Sequence, residues 1–282
     1  MSLTPDFHFS QGSLQDFVDC QRRFQLRYLD HIAWPAVEAE PILENERHLE
    51  QGALFHLMVQ QHLLGVPVER LTAMAQDEDL ARWWGNYLDA APAALDGERY
   101  AEFTLSAPFG ASGVRRLVAK YDLVVVAPDG RALIFDWKTS RRRSPQSRLA
   151  RRLQTRVYPY LLVQAGADLN GGRPFEPGQI EMLYWFAAFP DRPERFSYNA
   201  AQYAEDGGYL ARLLEQIATL SLGNGSFPLT EVEERCLFCV YRSLCDRGGA
   251  AGNLDDIDFA EPELDFSFEI DLDFEQIAEI EY

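Results

Sequence analysis

Apolar residues recur at helical spacing over residues 13–29, where Leu14, Phe17, Val18, Phe24, Leu26 and Tyr28 interrupt a polar background. The same period returns over 47–64 and over 77–90. Then the period shortens. Arg99–Leu105, Val114–Val126 and Ala132–Trp137 read as strands, and Pro128-Asp129-Gly130 supplies the turn chemistry that makes the last two a hairpin. Helical spacing resumes over 147–165, a strand covers Gln179–Ala188, and a last amphipathic helix covers 201–220. The order α-α-α-β-β-β-α-β-α predicts a mixed α/β domain without internal repeats, and nothing forces a second core.

A different pattern closes the chain. Leu264, Phe266, Phe268, Ile270, Leu272 and Phe274 alternate with Asp265, Ser267, Glu269, Asp271, Asp273 and Glu275. Period two over this run predicts a strand with one apolar and one acidic face. It fits an edge strand of the chain's own sheet, a strand added to a partner, or an acidic flap over a basic groove. The expected division is a single domain over 1–252 and an acidic tail over 253–282.

With 47% hydrophobic and 12% aromatic residues the chain has ample material for a core. The most apolar stretch, Leu123–Ala127, is strand-length, so no transmembrane helix is expected. The opening MSLTPDFHFS has neither the basic nor the apolar region of a secretory signal, which makes the cytoplasm the expected location. The net charge of -18 misleads as an average: 253–282 holds twelve carboxylates and no Lys or Arg. Conversely, Trp137–Ala167 holds Lys138, Arg141, Arg142, Arg143, Arg148, Arg151, Arg152 and Arg156 with no acid. Only two of the 26 basic residues are lysines, Lys120 and Lys138, so a lysine marks a place where arginine does not serve.

Four cysteines occur, Cys20 and then Cys236-x2-Cys239-x5-Cys245. In a cytoplasmic chain this spacing favours a metal over disulfides. Four thiolates suit tetrahedral zinc or an iron–sulfur cluster, and ligand type alone does not choose. The plainer reading is a buried Cys20 beside a partial zinc motif. If all four ligate, the N-terminal helix is stapled to the C-terminal segment.

Asp122 lies inside the strand Lys-Tyr-Asp-Leu-Val-Val-Val, and Asp136 ends its hairpin partner Leu-Ile-Phe-Asp-Trp-Lys. An aspartate in so apolar a run needs a partner or a metal to offset its desolvation. Asp136 and Lys138 project from one face of a strand, and the hairpin can bring Asp122 alongside. Two carboxylates and a lysine fit Mg²⁺ or Mn²⁺ with an activated water. An isolated Asp-x-Lys is more often a strand-end ion pair, but the hairpin, the scarcity of lysine and the arginines that follow point to a site. Gln154-x3-Tyr158 shares one helix face; like His56 and Glu102, it is a weak signal alone.

Together, His56, Glu102, Asp122, Asp136-Trp137-Lys138 and Gln154-x3-Tyr158 resemble the RecB-type branch of the PD-(D/E)XK nuclease superfamily. Cys20 and Cys236-x2-Cys239-x5-Cys245 resemble the subset that carries a [4Fe-4S] cluster, which includes AddB nuclease domains and CRISPR spacer-acquisition nucleases. The opening Phe9-Ser10-Gln11-Gly12-Ser13-Leu14-x5-Cys20-x3-Phe24 is similar to that subset's first helix and first cluster ligand. The resemblance spans about residues 9–247. It implies a restriction-endonuclease-like core, a mixed sheet flanked by helices, with N-terminal helices and a C-terminal cluster-binding segment.

By this resemblance His56, Asp122, Asp136 and the Trp137 carbonyl hold Mg²⁺ or Mn²⁺. Lys138 activates the attacking water, Gln154 and Tyr158 line the DNA side, and the cluster is structural. The implied activity is DNA hydrolysis from ends, often of single strands, in repair, recombination or CRISPR adaptation. Arg141, Arg142, Arg143, Arg148, Arg151 and Arg152 suit the phosphate backbone. Pro159 is expected to kink its helix. The tail lies outside the pattern. No Gly-x4-Gly-Lys loop is present, so any helicase motor belongs to a partner. The alternative is a catalytically idle DNA-binding subunit of a helicase–nuclease complex; zinc in place of the cluster leaves the function unchanged.

Overall fold

The computed structural model describes Leu3 and residues 7–32, 42–90, 96–110, 113–223 and 225–248. The acidic tail expected over 253–282 lies outside these residues. The strands are β1 (His8–Ser10), β2 (Glu98–Phe109), β3 (Arg115–Val126), β4 (Ala132–Lys138), β5 (Ile180–Phe186) and β6 (Glu194–Ser197). The helices are α1 (Gln11–Asp19), α2 (Gln21–Phe24), α3 (Ile42–Leu63), α4 (Val68–Thr72), α5 (Glu78–Ala90), α6 (Gln146–Leu149), α7 (Leu153–Ala165) and α8 (Ala200–Leu222). One mixed six-stranded sheet runs β1-β3-β4-β5-β6, with β2 on the other edge of β3.

The β3–β4 hairpin forms as the turn residues predict. Gly130, at φ +84°, closes it, and Ala127 N–H donates to the Arg131 carbonyl at 2.8 Å. β5 pairs parallel to β4, so the chain crosses over between them, and α7 lies in that crossover. On one sheet face Tyr121, Ile134, Met182 and Tyr184 pack with Leu14 and Phe17 of α1, Val157 and Leu161 of α7, and Leu210 of α8. On the other, Leu123, Val125, Leu133, Phe135, Trp137 and Trp185 meet Phe55 and Met58 of α3 and Trp83, Trp84 and Tyr87 of α5. Helices on both faces of a mixed sheet give the α/β class expected.

Two expected helices are broken. The run 13–29 stops at Cys20, whose backbone is extended (φ -160°, ψ 108°), before α2 and a π-helical turn over Gln25–Leu29. The run 147–165 splits into α6 and α7 because the Gln15 side chain accepts a 3.1 Å bond from Leu153 N–H and caps α7 from α1. α7 runs on through Pro159. β1, β6 and α4 carry too few residues for any period to show.

The central strands contain a slip. Along β3, Leu117, Ala119 and Tyr121 face the α1–α7 core, as do Val124 and Val126, so the step from Tyr121 to Val124 is three residues. Along β2, Tyr100 and Phe103 face that core while Ala101 faces the other. The register between the two strands stays constant, with Ala101 opposite Leu123 and Phe103 opposite Tyr121. Both strands therefore lose their alternation at the facing pair Glu102 and Asp122, and Glu102 takes φ +51°, a conformation that non-glycine residues seldom adopt. The slip turns both carboxylates out of the core.

Candidate active site

The hairpin ladder ends where the chemistry begins. The last paired residues of β3 and β4 are Leu123 and Phe135, while β1 occupies Arg116–Val118 further along the same edge of β3. Between them Asp122 replaces the missing ladder bond. Its Oδ2 accepts from Trp137 N–H at 2.8 Å, so the splayed strand end is held by a side chain. The other oxygen, Oδ1, lies 3.5 Å from His56 Nδ1. His56 is set by α3, whose neighbouring Phe55 is fully buried and stacked on Trp185 at 6.4 Å.

Ligand atoms of His56, Glu102 and Asp122 all lie within 4.8 Å of one another. One imidazole nitrogen and carboxylate oxygens are a donor set that Mg²⁺ or Mn²⁺ accepts. Glu102 was a weak signal in the sequence and stood outside the expected ligand set. The fold brings it in because the β2–β3 register places it opposite Asp122.

Asp136, nearly fully buried, faces a different group. Its Oδ2 is 2.9 Å from Lys138 Nζ, and its Oδ1 accepts from Gln154 Nε2 at 2.5 Å. Gln154 Oε1 in turn accepts from Lys138 Nζ at 3.0 Å, and the ammonium stands 5.5 Å from the centre of the Tyr184 ring. The amide from the first turn of α7 thus locks both members of the Asp-x-Lys pair.

Charge follows this geometry. Burial pulls His56 down, but the Asp122 charge and hydrogen bond, with Asp136 and Glu102 behind, leave it raised. Burial pushes Asp122 up, yet His56, the Trp137 N–H and Lys138 bring it below the usual carboxylate range. Burial and the nearby Asp122 carry Asp136 to about 6 against the pull of Lys138. Glu102 is raised by burial and Asp122 despite Lys120. Several acids that resist sharing one small volume are the condition a dication relieves.

Tyr158 is placed elsewhere. It is buried, its hydroxyl donates to the Lys120 carbonyl at 2.8 Å, and its own carbonyl accepts from Tyr121 OH at 2.9 Å. It fastens α7 to β3 behind the site. The arginine-rich segment divides: Arg142 and Arg151 are exposed, Arg141 and Arg148 half-buried. Arg143 is bonded to Glu194 and to the Arg192 carbonyl, and Arg152 is buried at the start of α7.

A second centre forms around Cys20. Cys236 is pushed up to about 11 by burial first and then by Cys239, Cys20 and Cys245, so the four sulfurs share one region. The clamp around them is polar. Arg22 N–H and Nε donate to the carbonyls of Pro228 (3.0 Å) and Phe227 (2.8 Å), Phe227 N–H to Gln25 Oε1 (2.7 Å), and Arg235 Nη1 to the Asp19 carbonyl (2.9 Å). Half-buried Arg23, on Asp16 at 2.8 Å and Asp19 at 3.1 Å, brings a positive charge beside the thiols. A cavity of about 360 Å³ beside Cys20, between α1, α8 and 228–230, shares no residue with the carboxylate group.

The family model of the PD-(D/E)XK nuclease superfamily matches residues 8–246, which contain every side chain described above. The chain belongs to the PD-(D/E)XK nuclease superfamily. Membership makes it a phosphodiester hydrolase of a kind that uses divalent metals. Among solved structures, an exonuclease candidate from Eubacterium rectale superposes with a TM-score of 0.50 at 9% identity, covering 80% of this chain and 85% of that one. That likeness supports the PD-(D/E)XK fold. The protein SSO0001, at 13% identity over 69% of this chain and 94% of that one, has a TM-score of 0.36, too low to bear on it. A search of the curated proteins finds no match. Among the described residues no helix is long and apolar enough to cross a membrane.

Proposed function

We propose that the chain hydrolyses DNA from its ends, with single strands as the favoured substrate. The observation that carries this reading is the pairing of two groups across the split hairpin. His56, Glu102 and Asp122 form a cation cradle, and Asp136, Lys138 and Gln154 lie against it through the Asp122–Trp137 bond. Asp136 and the Trp137 carbonyl complete the ligand set. A divalent cation bound there supplies an activated water and neutralises charge on the scissile phosphate.

The chain's own residues do the rest. Asp136 and Gln154 fix the Lys138 ammonium, which orients the attacking water and offsets the negative charge gathering on the phosphoryl oxygens. His56 gives up its proton on loading, since only the neutral ring ligates. Tyr158 keeps α7, and with it Gln154, in register with β3. Exposed Arg142 and Arg151 meet the phosphate backbone.

The second element of the proposal is a structural [4Fe-4S] cluster on Cys20, Cys236, Cys239 and Cys245. It is supported by the gathered thiols and by the cationic Arg23 beside them.

The test is Mn²⁺- or Mg²⁺-dependent degradation of end-labelled single-stranded DNA after anaerobic purification, with Lys138→Ala in parallel. Degradation by the wild type and none by the variant supports the reading. Binding without degradation by either protein replaces it with the idle DNA-binding subunit.

A further inference from the structure

The fold brings both lysines of the chain to the carboxylate group, and it treats them differently. Lys138 is held on three sides, by Asp136, Gln154 and the Tyr184 ring, and is 27% exposed. Lys120 is 55% exposed, and its Nζ lies 2.5 Å from Glu102 Oε2. Glu102 is the less mobile partner: only 14% exposed, in a backbone conformation fixed at φ +51°, with its carboxylate in the group shared with His56 and Asp122. A cation entering that group competes with Lys120 for the same carboxylate. Two positive charges on one carboxylate repel, and the flexible four-carbon stem yields before the strained backbone does. An arginine there would grip the carboxylate by two parallel bonds and release it less readily. The freed ammonium stands at the rim of a loaded site whose substrate is a polyanion.

We propose that Lys120 is a cation-gated substrate-binding residue. It pairs with Glu102 in the metal-free protein and passes to a nucleic-acid phosphate beside the scissile one when a divalent cation takes Glu102. The inference rests on the nuclease reading above and adds to it an order of events, cation first and strand second. It gives the chain's preference for arginine a functional exception at 120, as at 138.

The experiment measures the affinity of a short fluorescein-labelled single-stranded oligodeoxynucleotide by anisotropy, in EDTA and in Ca²⁺, across a range of salt. In EDTA, Lys120→Gln should lose only the small long-range effect of one charge and keep the wild-type salt slope. In Ca²⁺ it should bind several-fold more weakly, with a log–log salt slope shallower by roughly 0.7, the value of one single-strand phosphate contact. Glu102→Gln should bind in EDTA more tightly than the wild type, and the Glu102→Gln/Lys120→Gln double variant should lose that gain. Mn²⁺ affinity, read by electron paramagnetic resonance without DNA, should be as tight or tighter in Lys120→Gln. Equal losses of DNA affinity with and without Ca²⁺ would make Lys120 an ordinary surface cation and overturn the gate. Weakened Mn²⁺ binding would make it a positioning residue for Glu102 and overturn it as well. A wild type that binds no DNA in Ca²⁺ overturns both this inference and the nuclease reading; one that binds normally while Lys120→Gln does too overturns this inference alone.

Discussion

The carboxylate site and the cysteine clamp are both concentrations of like-charged ligands, built by opposite means. Asp122, Asp136 and Lys138 come from one hairpin, and the turn at Pro128-Asp129-Gly130 alone brings them near each other. Cys20 and Cys236 are separated by nearly the whole domain, and their meeting depends on α1 ending in an extended Cys20 and on bonds from the Arg22 guanidinium and backbone N–H to the carbonyls of Phe227 and Pro228. A local site survives disturbance elsewhere and fails when its own atoms change. A long-range staple supplies no chemistry to the reaction, and its loss is felt as stability. The two centres should therefore separate cleanly under mutation.

The largest expected effect is on the hairpin side. Asp122→Asn or Lys138→Ala should lower DNA hydrolysis by roughly 10³-fold or more, with a thermal midpoint close to the wild type's because the ladder and both cores stay in place. Circular dichroism melts beside a nuclease assay check this; a collapsed melt would show that the carboxylates are structural. Next is the clamp. If the proposed cluster is present, Cys236→Ser should lose iron and about 3 kcal/mol of stability, which lowers the midpoint by roughly 6–12 °C for a domain of this size, while protein still folded at low temperature retains hydrolysis. An unchanged midpoint would mean that the hydrogen bonds around Arg22 and Arg235 hold the termini without the cysteines.

The same contrast explains what the sequence revealed. The hairpin was legible because period two, a turn triplet and an aspartate stranded among valines are local signals. Lys138 was legible because it breaks the chain's preference for arginine. Glu102 was not. Its membership depends on the slip shared by β2 and β3, and a positive φ at a glutamate leaves no trace in composition. Tyr158 shows what spacing alone leaves open: it shares a helix face with Gln154, and its hydroxyl bonds the Lys120 carbonyl because the helix lies against β3. The break at Cys20 was hidden inside apolar spacing that continues on either side of it. The order of elements along the chain was readable, the strand order in the sheet was not; β1, β6 and α4 were too short to announce themselves.

A smaller effect sharpens the comparison through protons. Asp136 lies at about 6 and His56 above its ordinary 6.5, and both must be deprotonated to ligate. Mn²⁺ affinity should climb from pH 5 to above 7, by more than tenfold per unit below about 6, where two protons are displaced. For Asp136 the raised value means that the metal-free fold binds the proton more tightly than the unfolded chain. Its contribution to stability therefore falls as pH rises from about 4 to about 6, and a bound cation offsets the loss. Titration calorimetry with Mn²⁺ at several pH values reads this directly, and a flat profile over pH 5–7 would remove both residues from the ligand set.

The smallest effect concerns charge outside both centres. Removing 253–282 takes away twelve carboxylates and no Lys or Arg, which leaves a domain with a net charge of -6 and an arginine-rich segment beside its site. Long-range repulsion of a polyanion then falls, so DNA affinity and nuclease rate at low salt should rise. The gain should fade as ionic strength passes about 0.15 M, where the Debye length shrinks to about 8 Å. A salt-independent gain would mean that the tail touches the site; no gain, with lost solubility, would mean that its apolar face belongs to the sheet. The carboxylates at the hairpin act within a few ångströms and should be indifferent to this range of salt, which separates local chemistry from the field of the whole chain in one titration.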